Sequence, residues 1–184
     1  MAPPPEHPSD AELISRVLVR DDRNAFGELV ARHQSAVRAL LRRLTGGDLA
    51  QADDLAQETF LRAYRGLRGY RGGAKFSSWL YRIACNVFFS RDRGSRGASV
   101  ASPAQEAGSS EEVALLPDAL LARYDLERAL ASLKPRERAA LVLTYANELT
   151  HEEAAVVLDC PVGTLKTHVA RAKEKLRRQL EEVP

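Results

Sequence analysis

The stretch THEEAAVVLDCPVGTLKTHVARAKEKL, residues 150–176, decides how the rest of this chain is read. Thr150-x-x-Glu153 is a capping box, in which each side chain satisfies a backbone N–H that an opening helix leaves bare, so a helix is expected through Leu158. Asp159-Cys160-Pro161-Val162-Gly163 then has the chemistry of a tight turn. Beyond it Leu165, Val169, Ala172, Leu176 and Leu180 recur at three- and four-residue steps, the inward stripe of a helix from about Gly163 to Leu180. Between Thr164 and Leu180 six cations (Lys166, Arg171, Lys173, Lys175, Arg177, Arg178) accompany one acid, Glu174. Helix, short turn, basic helix is the helix-turn-helix pattern.

Lys166, Thr167, Ala170 and Arg171 fall on the face opposite the leucine stripe. Arg and Lys can donate to guanine O6 and N7, Thr bonds either way, and Ala lets the backbone come close, which is what major-groove readout requires. The candidate duplex-reading set is Thr164, Lys166, Thr167, His168, Ala170, Arg171 and Lys173. Lys173, Lys175, Arg177 and Arg178 rotate around the helix and are expected to meet phosphates or water. A solvated basic face is the plain alternative, and charge alone does not separate the two. The capped preceding helix and the turn at the right distance favour DNA.

Working upstream, Pro135 suits the first turn of a helix over Arg136 to Tyr145, and Leu120 to Leu133 reads as another helix. Gly94 to Glu112 is Ser-, Gly- and Ala-rich with no large apolar side chain beyond Val100, too little to offset its ordering entropy, so 94–116 is expected to be a flexible linker. Before it, residues 9–93 read as a helical bundle. Ser9-x-x-Glu12 is a second capping box, opening a helix with Leu13, Ile14, Val17 and Leu18 on one face. A longer helix carries Phe26, Leu29, Val30, His33, Val37, Leu40, Leu41 and Leu44 and stops at Gly46-Gly47. A third, about Gln51 to Leu67, buries Ala56, Phe60, Ala63, Tyr64 and Leu67. After a Gly/Arg loop, Ser77 is expected to cap a fourth helix through Trp79, Leu80, Ile83, Ala84, Val87 and Phe88. Residues 1–8 are Pro-rich and expected to be disordered.

Composition agrees. The 184 residues suffice for one ordinary domain or two small ones, and an aromatic content of 6% leaves a core to Leu, Val and Ala, which favours helices over a β-sandwich. The expected fold is all-α: two small helical domains, 9–93 and 117–182, joined by the linker. No uncharged apolar run approaches the roughly 18 residues of a membrane span, and MAPPPEHPSD lacks a secretory leader's basic and apolar regions, so no membrane insertion and a cytoplasmic location are expected. Cys85 and Cys160 stand far apart outside any CxxC, which argues against a disulfide scaffold or zinc finger and suits a reducing compartment; both read as buried structural thiols. The four histidines lie at non-ligand spacings. No metal and no cofactor are expected.

The third helix gathers Asp53, Asp54, Gln57, Glu58 and Arg62 on one polar face. Paired carboxylates can serve acid–base or metal chemistry, but no convergent His, Ser or Cys joins them and an exposed helix face offers no concave site. The choice is between a solvated face and a docking surface for a basic partner. In GYRGGAKFSSWLYRIACN, residues 69–86, aromatic and basic groups mix as they do where unpaired bases are stacked and a displaced strand is held. Trp79 reads equally well as a core anchor. Tyr70, flanked by a glycine in a loop, is harder to place in a core.

Together these segments resemble the extracytoplasmic-function (ECF) group of bacterial sigma factors. DDLAQETFLRAY, residues 53–64, resembles the region 2.2 helix that docks on the clamp helices of the largest subunit of RNA polymerase; by that resemblance Asp53, Asp54, Gln57, Glu58, Phe60 and Arg62 form the docking face. Residues 69–86 resemble the loop and helix that capture a flipped base of the −10 element, which implicates Gly66, Tyr70, Lys75, Trp79, Arg82 and Asn86. Leu126 to Leu176 resembles region 4, the reader of the −35 element. The likeness covers Asp10 to Arg93 and Leu126 to Leu180. Two departures stand out: Gly73 where many relatives carry an acid, and His168 where Arg or Ser is usual. The resemblance implies core RNA polymerase, promoter DNA and an anti-sigma factor as partners, and no enzymatic activity.

The linker is long enough for that role. Nineteen residues at about 3.3 Å reach roughly 60 Å, or about 18 base pairs at 3.4 Å each. The main rival is an autonomous regulator, since LKPRERAAL and GTLKTHVARAKEKL also resemble a LuxR-like output domain; the first block lacks the alternating β/α pattern of a receiver. A helical adaptor without a nucleic-acid role is the third reading.

Overall fold

The computed structural model describes residues 8–97 and 126–181. The tail expected at 1–8, apart from Pro8, and the linker beyond 97 lie outside the described residues, as does the start of the helix expected from Leu120.

Local chemistry sets each helix boundary. α1 spans Asp10–Arg20; Glu12 N–H donates to Ser9 Oγ while Ser9 N–H donates back to the Glu12 carboxylate at 2.6 Å. Asp21 ends it in the left-handed region at φ 51°. α2 spans Arg23–Leu44, capped by Asp22, which accepts from Ala25 N–H. It stops where expected: Gly46 and Gly47 take φ of 71° and 95°, open to glycine at little cost. α3 spans Leu49–Gly66 with Asp48 as cap, and a single 3₁₀ turn, Leu67–Gly69, follows.

α4 spans Phe76–Gly97 and corrects one expectation. Trp79 N–H donates to the Lys75 carbonyl, so the helix opens at Phe76 and Ser77 is inside it rather than capping it. Burial is the cause: the Phe76 ring is packed in the core and draws its residue into the first turn. The helix also runs past Arg93, where the linker was expected to begin.

In the second block a helical stretch, 126–131, precedes α5, Pro135–Tyr145, with proline at its first position. α6, His151–Leu158, opens on the Thr150–Glu153 capping box, with Thr150 N–H donating to the Glu153 carboxylate at 2.9 Å. Asp159, at φ 51°, closes it, and α7 spans Val162–Glu181.

Helices α1 to α4 pack around Leu13, Leu29, Leu40, Leu41, Leu44, Leu67 and Leu80, and α5 to α7 around Leu143, Val157 and Leu165. Leucine dominates both, as the low aromatic content predicts. Thr59, fully buried, satisfies its hydroxyl by donating to the Leu55 carbonyl. The described residues contain no strand.

The two blocks do not hang apart. α2 packs on α5, α4 packs on α6, and one continuous buried cluster runs through both. Arg138 of α5 donates to the Leu44 carbonyl at the end of α2 and to the carbonyls of Ala131 and Leu133, the last two at 2.5 and 3.2 Å. Arg42 pairs with Glu127 at 2.9 Å. The glycine turn is needed here twice over. A Cβ on Gly47 would sit 2.5 Å from the Glu127 carboxylate, and one on Gly46 would sit 3.0 Å from Ala131 Cβ. Periodicity shows which face of a helix is apolar but not which neighbour covers it.

Candidate nucleic-acid interface

α7 is sorted as its sequence demands. Leu165, Val169 and Ala172 are buried, whereas Thr164, Lys166, Thr167, Ala170, Arg171 and Lys173 are exposed. Thr167 donates its hydroxyl proton to the Gly163 carbonyl at 2.9 Å, leaving oxygen lone pairs as its outward function. The Lys166 and Arg171 side chains are exposed, so their donors face outward toward an acceptor.

Two neighbouring residues differ from expectation. Lys175, although partly exposed, is paired within the protein. Its ammonium lies 2.6 Å from the carboxylate of Glu137, whose side chain is 5% exposed, tying α7 to α5. Burial would raise the Glu137 pKa, but the hydrogen bond and charge of Lys175 outweigh it and hold the carboxyl below its usual range. His168 is half-buried, and its Nδ1 is enclosed without a partner. Burial pushes its pKa down, Glu137 pulls it up, and Arg136 and Arg171 push it down again, so the ring is neutral near pH 7. Lys173 donates to the Tyr145 hydroxyl at 2.9 Å and sits over the Tyr145 ring. Tyr145, exposed at the end of α5, carried no signal in the sequence that distinguished it from any other helix-end aromatic.

On α4 and the loop before it, Lys75, Arg82 and Asn86 are exposed and Gly66 lies exposed at the end of α3. Tyr70 is less free than its loop position suggests. Its ring contacts Phe76 and Trp79 at centroid distances of 5.5 and 5.4 Å, and its hydroxyl donates to the Ala74 carbonyl at 2.6 Å. Burial, and then the charge of Asp10, raise its pKa, so the phenol keeps its proton. Trp79 stacks on Phe76 and is half-buried, serving the core while one edge stays outward. The loop is therefore braced by an aromatic cluster, with glycines 72 and 73 exposed at its tip.

On α3 the acidic face is partly neutralised in place: Asp53 meets Arg38 at 3.1 Å, Asp54 meets Arg91 at 3.9 Å and Glu58 meets Arg62 at 2.6 Å. All these side chains are substantially exposed. The sequence suggested a flat helix face, and here the structure differs. Beside it, between α2 and α3, runs an apolar groove of about 710 Å³ floored by Phe26, Val30, Phe60 and Tyr64 and edged by Gln57 and Leu61. Phe26 and Tyr64 meet edge to face at 4.9 Å. Phe60 and Tyr64, expected in the core, instead line this groove. Periodicity counts them as apolar and cannot tell core from groove. Among the described residues no cluster of His, Cys, Asp or Glu could hold a metal ion. Cys85 is buried, its thiol pushed up to about 12 by burial, whereas Cys160 is only half-buried, with a pKa raised by burial, lowered by Arg136 and raised by Asp159.

Comparison with known proteins accounts for both blocks. Sigma-70 region 2 matches residues 29–96, and Sigma-70, region 4 matches residues 123–176. The chain is 35% identical to the ECF RNA polymerase sigma-E factor of Salmonella typhimurium, over 96% of each chain. It is 34% identical to the RNA polymerase sigma-H factor of Pseudomonas aeruginosa, over 94% of each. Among solved structures it is similar to CnrH in complex with the cytosolic domain of CnrY, with a TM-score of 0.71 at 26% identity, covering 95% of this chain and 99% of that one. It is also similar to the sigma factor RpoE of Bartonella quintana in complex with the anti-sigma factor NepR, with a TM-score of 0.66 at 26% identity, covering 86% and 98%. Among the described residues no helix is long and apolar enough to cross a membrane.

Proposed function

From the premise that this chain belongs to the ECF group of the sigma-70 family and directs transcription as an alternative sigma factor, we propose that residues 9–97 dock on core RNA polymerase and capture the −10 strand while residues 126–181 read the −35 duplex. The observation that carries this reading is the division of α7: leucine, valine and alanine turned inward, Lys166, Thr167, Ala170 and Arg171 turned out. Lys166 and Arg171 supply donors for base edges, Thr167 and Ala170 allow close approach, and Thr164 and Lys173 flank them toward the phosphates.

On the first domain, Lys75 and Arg82 offer cationic partners for the displaced strand. Extruding a base costs a few kcal/mol, which contacts beside Tyr70, Trp79 and Asn86 must offset. Because Tyr70 is braced by Phe76 and Trp79, it forms the wall of such a pocket rather than a swinging lid. Asp53, Asp54, Gln57, Glu58 and Arg62 present a mixed polar face beside the apolar groove, and Phe60 lines that groove, a surface suited to an amphipathic helical partner on the polymerase. An anti-sigma protein is proposed as a second partner, since CnrH was solved with the cytosolic domain of CnrY and RpoE with NepR. The chain acts in the cytoplasm, where polymerase and promoter are, and catalyses no reaction itself.

The test is transcription by core polymerase reconstituted with the purified chain, on promoters selected by sequencing transcript starts after overexpression. Expected is start-site-specific transcription that core alone does not give. Tight, specific binding of the isolated chain to a duplex without polymerase would instead support a LuxR-like regulator.

A further inference from the structure

The second domain packs against α4, the helix proposed to capture the strand. Arg82 approaches the Asp159 carboxylate at 3.5 Å, although both side chains remain well exposed. Around that contact Arg82 forms a shallow cleft with Glu152, Val156, Asp159 and Cys160. Along the same edge of α6, the Glu153 carboxyl lies within the field of Lys75. Its pKa is lowered first by the Thr150 N–H, burial acts against that, and the Thr150 hydroxyl and the Lys75 charge lower it further. The edge of α6 thus brings three carboxylates, Glu152, Glu153 and Asp159, toward Arg82 of α4 and Lys75 just before it. DNA would set phosphates against those same cations. On α7, by contrast, every proposed −35 contact except half-buried His168 is exposed.

We infer that the acidic edge of α6 is a built-in stand-in for the −10 strand's phosphates: it competes with single-stranded DNA for Lys75 and Arg82, leaving the −35 reader open. This rests on the reading of Lys75 and Arg82 as strand-binding residues. The latch is weak by construction, since exposed ion pairs contribute little and are screened by salt. A weak latch suits a surface that must be surrendered once polymerase separates the two domains.

The experiment uses the full chain and a dye-labelled 12-nucleotide single-stranded DNA of mixed sequence, with affinity read by fluorescence anisotropy at low salt. In Glu152→Gln/Glu153→Gln/Asp159→Asn the amides keep the capping box and the left-handed position, so folding is preserved and a thermal melt verifies it. The control, Glu12→Gln/Asp21→Asn/Glu28→Gln, removes the same charge from a capping box, a left-handed helix end and one further site on the first domain. The α6 variant is expected to bind the probe about two- to thirtyfold more tightly than the control variant, the range that two exposed pairs supply, and adding Lys75→Ala and Arg82→Ala together should abolish the gain. Equal affinities of the two triple variants would overturn the inference. A parallel measurement separates it from the reading beneath: if Arg82→Ala leaves strand capture by the polymerase-bound protein unchanged, Arg82 is not a strand-binding residue and both fall.

Discussion

Replacing Lys175 by Met should do more damage than replacing any other cation of α7. The substitution keeps the aliphatic stem and removes the ammonium, leaving Glu137 with its side chain 5% exposed and its counter-charge gone. Breaking a fully buried pair costs about 3–5 kcal/mol and an exposed one about 0.2–1 kcal/mol. Lys175 is 41% exposed, so water partly replaces it and the expected loss falls between, at about 2 kcal/mol. For a chain of this size that lowers Tm by roughly 4–8 °C. Urea unfolding at pH 7 measures it, with Arg177→Met as the comparison. The double variant Glu137→Leu/Lys175→Met should regain most of the loss, because it strands no charge. Acid supplies a further check. The Glu137 carboxyl has a lowered pKa in the folded chain, so its contribution is complete above the ordinary value of 4.5 and disappears as pH falls through the folded value. The gap between wild type and Lys175→Met should therefore close on acidification. If Lys175→Met and Arg177→Met are indistinguishable at pH 7, the pair does not hold α7 and this reasoning is wrong.

Lys166→Ala and Arg171→Ala should each weaken −35-dependent transcription by about 1–3 kcal/mol per lost base contact and relax sequence preference there; unchanged preference in both, scored on a promoter library, would remove the assignment of the reading face. Glu58→Lys should abolish co-purification with core polymerase while the far-ultraviolet circular dichroism stays that of the wild type, and normal co-purification would count against the docking face. His168 has a pKa pushed down by burial, so the unfolded chain takes up the proton first and stability drops as pH falls below the ordinary value of 6.5. His168→Gln should flatten the stability profile between pH 7.5 and 5.5 in urea titrations, and an unaltered slope would refute a buried neutral imidazole.

Helix positions were legible because their ends are chemical. The Ser9–Glu12 and Thr150–Glu153 boxes, Pro135 and Gly46-Gly47 each leave a local mark that distant packing does not overrule. Phe76 shows the limit: a serine in a plausible capping place lost to the burial of the phenylalanine before it. The outward face of α7 followed from periodicity alone. What periodicity could not show was who sits opposite. Lys175 looked like one more surface cation until Glu137, distant in sequence, turned out to face it. Phe60 and Tyr64 looked like core because a groove wall and a core have the same apolar spacing. The packing of the first block on the second depends on Arg138 and two glycines with no shared motif.

Arg138 makes the junction of the two domains unusual in one respect: three of its hydrogen bonds go to main-chain oxygens, those of Leu44, Ala131 and Leu133. Peptide oxygens neither ionise nor vanish when a side chain is exchanged. Those three bonds are indifferent to acidity over the range living cells tolerate, and drift at positions 44, 131 or 133 leaves their oxygens in place. In hereditary terms the donor side of these three bonds rests on one codon, and even lysine there would reach fewer of the three.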